Sequence, residues 1–175
     1  MFSFRTVAVF ALSLFAFACV PHLPAIGAPV IPPIRDHQIV RNQRIGMLSL
    51  GMSEADLLKY CGQPTHTLLG TGAESNWARY DFAPVGALSV TLLDGRVNSI
   101  QVSDPSYAMP NGVHPGSTAL EVRALLGTPS WQRLINSTTT LCYDDGTQIQ
   151  FGSPDIIEHH DSNLVAVIGI RTCVP

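Results

Sequence analysis

The hydrophobic pattern of this chain changes period twice, each time in the same order. Ser53-Glu-Ala-Asp56 precedes Leu57, Leu58 and Cys61, which recur at helical spacing. Serine with an acid three positions later is a capping box, so a short helix is predicted from Ser53 to about Cys61. Gly62 and Pro64 stop it. The pattern then alternates over Thr65–Leu69, Asn76–Phe82, Ala87–Leu93 and Arg96–Val102, which predicts strands. Within Asn76–Phe82, Trp77 and Arg79 fall on one face, Ala78 and Tyr80 on the other. Asp94-Gly95 between the last two runs is a hairpin turn.

The stretch Gly51–Pro64 lies over Gly116–Pro129 device by device: Thr118 and Glu121 as the box, Val122, Leu125 and Leu126 as the apolar face, Gly127 and Pro129 as the stop. Strands follow again at Trp131–Leu134, Thr138–Tyr143, Thr147–Phe151 and Leu164–Cys173, with a turn at Asp144-Asp-Gly146 and a longer loop at Ser153–Ser162. The fold class expected is α+β: two tandem repeats, residues 45–108 and 109–175, each a short helix packed on its own antiparallel meander of about four strands.

What precedes the repeats reads as a targeting segment and a tether. Arg5 and the uncharged run Thr6–Val20 have the form of a signal segment, and the run is short for a membrane span. Cleavage after residue 18 would leave Cys19 first, open to lipidation; cleavage after residue 27 would leave Ala28. Residues 28–44, with Pro29, Pro32 and Pro33, read as a Pro-rich linker. Export places the chain in a disulfide-permissive compartment. Cys142 and Cys173 are then candidates for a bridge, although one intervening strand would hold them roughly 9–10 Å apart, beyond the about 7 Å that a disulfide tolerates, unless the sheet end bends. Cys61 reads as a small buried hydrophobe.

The two copies resemble the small outer-membrane lipoprotein family called SmpA/OmlA or BamE-like, through Gly51, Ser53, Asp56, Leu57, Gly62 and Pro64 and again through Gly116, Thr118, Glu121, Val122, Gly127 and Pro129. The tandem arrangement is similar to that of β-lactamase inhibitory proteins. The resemblance covers Ile45 to Cys173. It implies a non-enzymatic protein-binding role in or beyond the cell envelope, and it carries over no site residue, because neither loop after the helices holds the cysteine pair of the inhibitory proteins.

Composition narrows the partners. The chain is 46% hydrophobic and 13% charged with a net charge of −3, which fits a globular fold without the basic clusters that nucleic acid requires. Candidate chemistry is thin. Glu158-His159-His160-Asp161 is the densest set of metal-ligand types, but adjacent histidines on an extended chain point to opposite sides, so a solvated loop is the favoured reading. Ser53 and Thr118 are explained by capping, and Gly70-Thr-Gly72 lacks the lysine of a phosphate loop. No cofactor and no catalytic residue are expected. The aromatics Trp77, Tyr80, Trp131 and Tyr143 are the candidate binding surface, on sheet faces left free by the helices. The expectation is a periplasmic protein, anchored to the outer membrane through Cys19 or free, that binds a protein partner as a scaffold. The alternative is a secreted inhibitor of a hydrolase.

Overall fold

The computed structural model describes residues 36–71, 76–84, 87–135, 138–152 and 164–171. The signal segment, Cys19, Cys173 and the Glu158–Asp161 cluster lie outside the described residues.

Both predicted helices form, as α1 (Glu54–Cys61) and α2 (Ala119–Leu126). Ser53 and Thr118 are extended N-caps whose hydroxyls accept from the backbone N–H of Asp56 and Glu121. Glu121 reaches back to the Thr118 N–H at 2.7 Å and completes the box. Asp56 is one methylene shorter, and its carboxylate accepts from the Ser53 hydroxyl at 2.7 Å. Leu57 and Cys61 of α1, and Ala119 and Val122 of α2, are buried. Leu125, read as a core position, is 48% exposed.

The strands do not form two separate sheets. β4 (His66–Thr71), β5 (Asn76–Phe82), β6 (Leu88–Leu93) and β7 (Arg96–Val102) meander, as do β8 (Trp131–Ile135), β9 (Thr138–Cys142), β10 (Thr147–Phe151) and β11 (Val165–Arg171). β7 and β11 then pair antiparallel, with Ile100 opposite Ile170 and Val102 opposite Ile168. One eight-stranded sheet results, in the order β4-β5-β6-β7-β11-β10-β9-β8. The expected α+β class of two tandem helix-on-meander repeats is therefore overturned. The fold is mostly β, and its helices among the described residues are two segments of 8 residues. The physical reason lies in the last strand of each meander. A strand lined with Val97, Ile100 and Val102, or with Val165, Ile168 and Ile170, all buried, is unfavourable at a sheet edge; pairing the two removes both edges and merges the apolar faces into one core.

A second sheet was not foreseen. β1 (Ile39–Val40), β2 (Arg44–Ile45) and β3 (Leu48–Ser49) make a three-stranded unit. β1 and the first residue of β2 fall in the stretch assigned to the linker. Backbone bonds from Ile39 N–H to the Ala108 carbonyl (2.8 Å) and from Ala108 N–H to the His37 carbonyl (3.0 Å) tie the unit to the chain that follows β7. Ile39, Ile45 and Leu48 join the same buried cluster as Leu57, Val122, Ile100 and Ile170. One face of the large sheet is thus covered by α1, α2 and the small sheet together. Arg41 closes this side: its Nε lies 2.5 Å from Asp145 Oδ2 and 3.2 Å from Thr147 Oγ1, and its guanidinium stands 5.5 Å from the Tyr143 ring centroid.

Candidate functional site

Cross-strand register assigns each side chain to a face. The covered face carries Tyr80, Phe82, Val90, Ile100, Ile149 and Leu141 in continuous rows, all buried. The other face carries Leu68-Arg79-Thr91-Ser99-Arg171 in one row. A second row runs His66-Asp81-Ser89-Gln101-Gly169-Gln148-Cys142-Trp131 across all eight strands. Trp77, Leu93 and Arg96 lie at one end of this face, and Gln150, Thr140 and Arg133 at the other.

The four candidate aromatics divide between the faces. Trp77 is 40% exposed on the open face, and Trp131 is partly exposed there on the edge strand β8. Tyr80 and Tyr143 are 8% and 4% exposed on the covered side. Tyr80 donates to Glu54 Oε1 of α1, and that bond to a carboxylate, followed by burial, pushes the phenol up to about 12. It serves as a bolt between helix and sheet. The Tyr143 hydroxyl is buried and finds no hydrogen-bond partner among the described residues.

Trp77 holds its place through a glycine. Gly70 stands directly opposite on β4. A Cβ built at residue 70 would sit 2.2 Å from the Trp77 ring, so the indole lies flat over the bare backbone. The charged residues of this face that sequence reasoning did not single out are arginines. Among the described strand residues, the open face carries Arg79, Arg96, Arg133 and Arg171 against Asp81 alone, in a chain whose net charge is −3. Alternation on each strand held this signal, but only the strand order brings the four to one surface.

Asp81 is the hub of a polar cluster on the same face. Arg79 Nε donates to its Oδ1 at 3.0 Å, the Ser89 hydroxyl donates to the same oxygen, and His66 Nδ1 lies 3.6 Å from Oδ2. Arg79 Nη2 also donates to Ser89 Oγ at 3.1 Å. Burial alone would raise the carboxyl; the bonds from Ser89 and Arg79 and the charges of Arg79 and His66 outweigh it and hold Asp81 below its ordinary value. Serine, histidine and aspartate therefore meet, but the carboxylate stands between the other two. A hydrolytic triad needs imidazole beside the hydroxyl, so Ser89 is not set up as a nucleophile.

The remaining candidates have structural places. Cys61 is 5% exposed, and burial pushes its thiol up to about 11, which leaves it protonated and unreactive at neutral pH. Cys142 is fully buried on β9, with β10 between it and β11. Among the described residues no three His, Cys, Asp or Glu side chains are grouped to hold a metal ion. No helix among them is long and apolar enough to cross a membrane. A cavity of about 520 Å³ opens between α1 and the β4–β5 corner, lined by Glu54, Leu69, Trp77, Ala78, Tyr80 and Leu92.

No family model matches the chain, and no curated protein matches it in sequence. Solved structures do. The uncharacterized protein yfeY from Escherichia coli superposes with a TM-score of 0.53 at 14% identity, over 78% of this chain and 99% of that one. That likeness shows a shared fold. A cysteine-rich secretory protein from Staphylococcus aureus matches at a TM-score of 0.47 and 11% identity, over 78% of this chain and 50% of its own. A candidate β-lactamase inhibitor protein from Streptococcus mutans matches at 0.31 and 13%, over 61% and 76%. The last two are too distant to say more. The SmpA/OmlA resemblance finds no support in sequence.

Proposed function

We propose that this protein is an exported, non-enzymatic binding module whose open sheet face docks an acidic surface of a partner protein in the cell envelope. One observation carries the reading: four arginines and two tryptophans share the sheet face turned away from the helices and the small sheet, while the opposite face is sealed by them. Tryptophan and arginine are the side chains that most often anchor interfaces. Six strand spacings set Trp77 and Trp131 roughly 29 Å apart across the strands, the width of a protein-sized contact. Concentrating cations on one face of an acidic protein steers an acidic partner and orients it. The signal-like segment supports export, with Cys19 lipidated or removed.

The second reading keeps the same face and makes the partner a secreted or periplasmic hydrolase, which docking would inhibit. Affinity capture from an envelope extract tests both. The wild-type chain should retain an acidic protein at low salt and release it as salt rises. The pair Trp131→Ala and Arg133→Glu should abolish capture, whereas Leu125→Ala on α2 should not. Retention by the open-face variant would refute the assignment. Loss of a hydrolase's activity on mixing selects the inhibitor reading, and full activity against every hydrolase captured removes it.

A further inference from the structure

We propose that the β4 edge of the large sheet is a self-pairing edge, which joins two copies of this chain into a sixteen-stranded sheet. β4, His66–Thr71, is a terminal strand of the sheet, so one side of its backbone has no strand partner among the described residues. Such an edge invites another strand unless it is guarded by lysine, proline, a bulge or an inward charge. Thr67 to Thr71 contains none of these. Leu68 is 45% exposed and Leu69 is 74% exposed. Trp77 and Leu93, 40% and 38% exposed, continue the apolar patch inward from Gly70, beside Leu68, and the cavity beside Leu69 continues it on the other face. The opposite edge, β8, carries Gln132 and Arg133, and Arg133 guards it.

Two-fold symmetry selects the register. An axis normal to the sheet keeps each residue on its own face, so paired residues must share parity. With Leu69 opposite itself, Leu68 of each copy faces Gly70 of the other, and Thr67 faces Thr71. Every pair in that ladder is uncharged. Gly70 has no side chain, and the Trp77 ring already lies over it. The second copy's Leu68 therefore meets an indole face, and the two Leu69 side chains meet beside the two cavities. A charged edge could not do this with itself, because like charges directly opposite repel. The charge-neutral, self-complementary ladder favours a second copy over a foreign strand as the occupant. The axis leaves both open faces exposed on one side, so docking of a partner and self-pairing are independent.

Sedimentation equilibrium of the exported chain reads the outcome. The wild type should show twice the chain mass with concentration-dependent dissociation. Leu69→Lys should sediment as a folded monomer at the same concentrations, with the circular-dichroism spectrum of the wild type, and Arg133→Ala on the far edge should stay dimeric. Leu69→Cys should cross-link to itself on mild diamide oxidation, above the wild-type background, whereas Leu134→Cys should not. A wild type that is monomeric at hundred-micromolar concentration overturns the proposal. So does a Leu69→Lys chain that remains dimeric, or a monomer that takes up a foreign peptide along β4. None of these outcomes bears on capture through Trp131 and Arg133.

Discussion

At the scale of single residues, two tyrosines on the covered side make opposite predictions. Tyr80 spends its hydroxyl on Glu54, and Tyr143 buries one without a described partner. Tyr80→Phe removes a charge-assisted bond and leaves a carboxylate short of one donor, so stability should fall by about 1.5–3 kcal/mol. Tyr143→Phe removes only an unsatisfied buried group, so stability should hold or rise by up to about 1 kcal/mol. Urea denaturation of the two variants checks the contrast. Gly70→Ala should displace the indole that now lies over the strand, and Trp77 fluorescence should shift while the fold persists. That Trp77 and Tyr80 face opposite ways was legible from alternation alone. That Trp77 shares its face with Trp131 was not, because six strand spacings and a reversal of chain order separate them.

At the scale of elements, the helices were the most legible part of the chain, because their caps and stops are local. Thr118→Ala removes the hydroxyl acceptor of the α2 box and should destabilise by about 1 kcal/mol. Leu57→Ala, at a fully buried position of α1, should cost about 2–5 kcal/mol. The junction of β7 and β11 was illegible for a physical reason: an alternating apolar strand looks the same whether it ends a sheet or continues into another. The three-stranded unit was illegible because strands of two residues are too short to show a period. Acid stability also belongs to this scale. Asp36, Asp81, Asp104 and Glu121 are all held below their ordinary values, chiefly by local hydrogen bonds at Asp36, Asp104 and Glu121 and, at Asp81, by bonds that outweigh burial. A depressed folded-state value means the stabilisation is present above the ordinary carboxylate range and is lost as pH falls through it. Melting temperature should be flat from neutrality to about pH 5 and fall steadily below about pH 4; a melting temperature that rises on acidification contradicts the sign.

At the scale of the molecule, the large sheet has one apolar face packed under the helices and the small sheet and one polar face, and the charge is unequally shared between them. The covered face joins α1, α2 and β1–β3 into a single core, which gives the open face a rigid backing. Rigid backing matters for recognition, since side chains held in place lose less freedom on docking. The molecule we propose is a platform with two separate invitations: a basic, tryptophan-bearing surface for a foreign protein, and an unguarded edge for a copy of itself. The most direct measurement is site-specific photocrosslinking in the cell that makes this protein, with the photoreactive residue placed at Arg133 in one strain and at Leu125 in another. The account predicts a discrete adduct with an acidic envelope protein from position 133 and none from position 125. Equal adducts from both positions, or an adduct from position 125 alone, would contradict it.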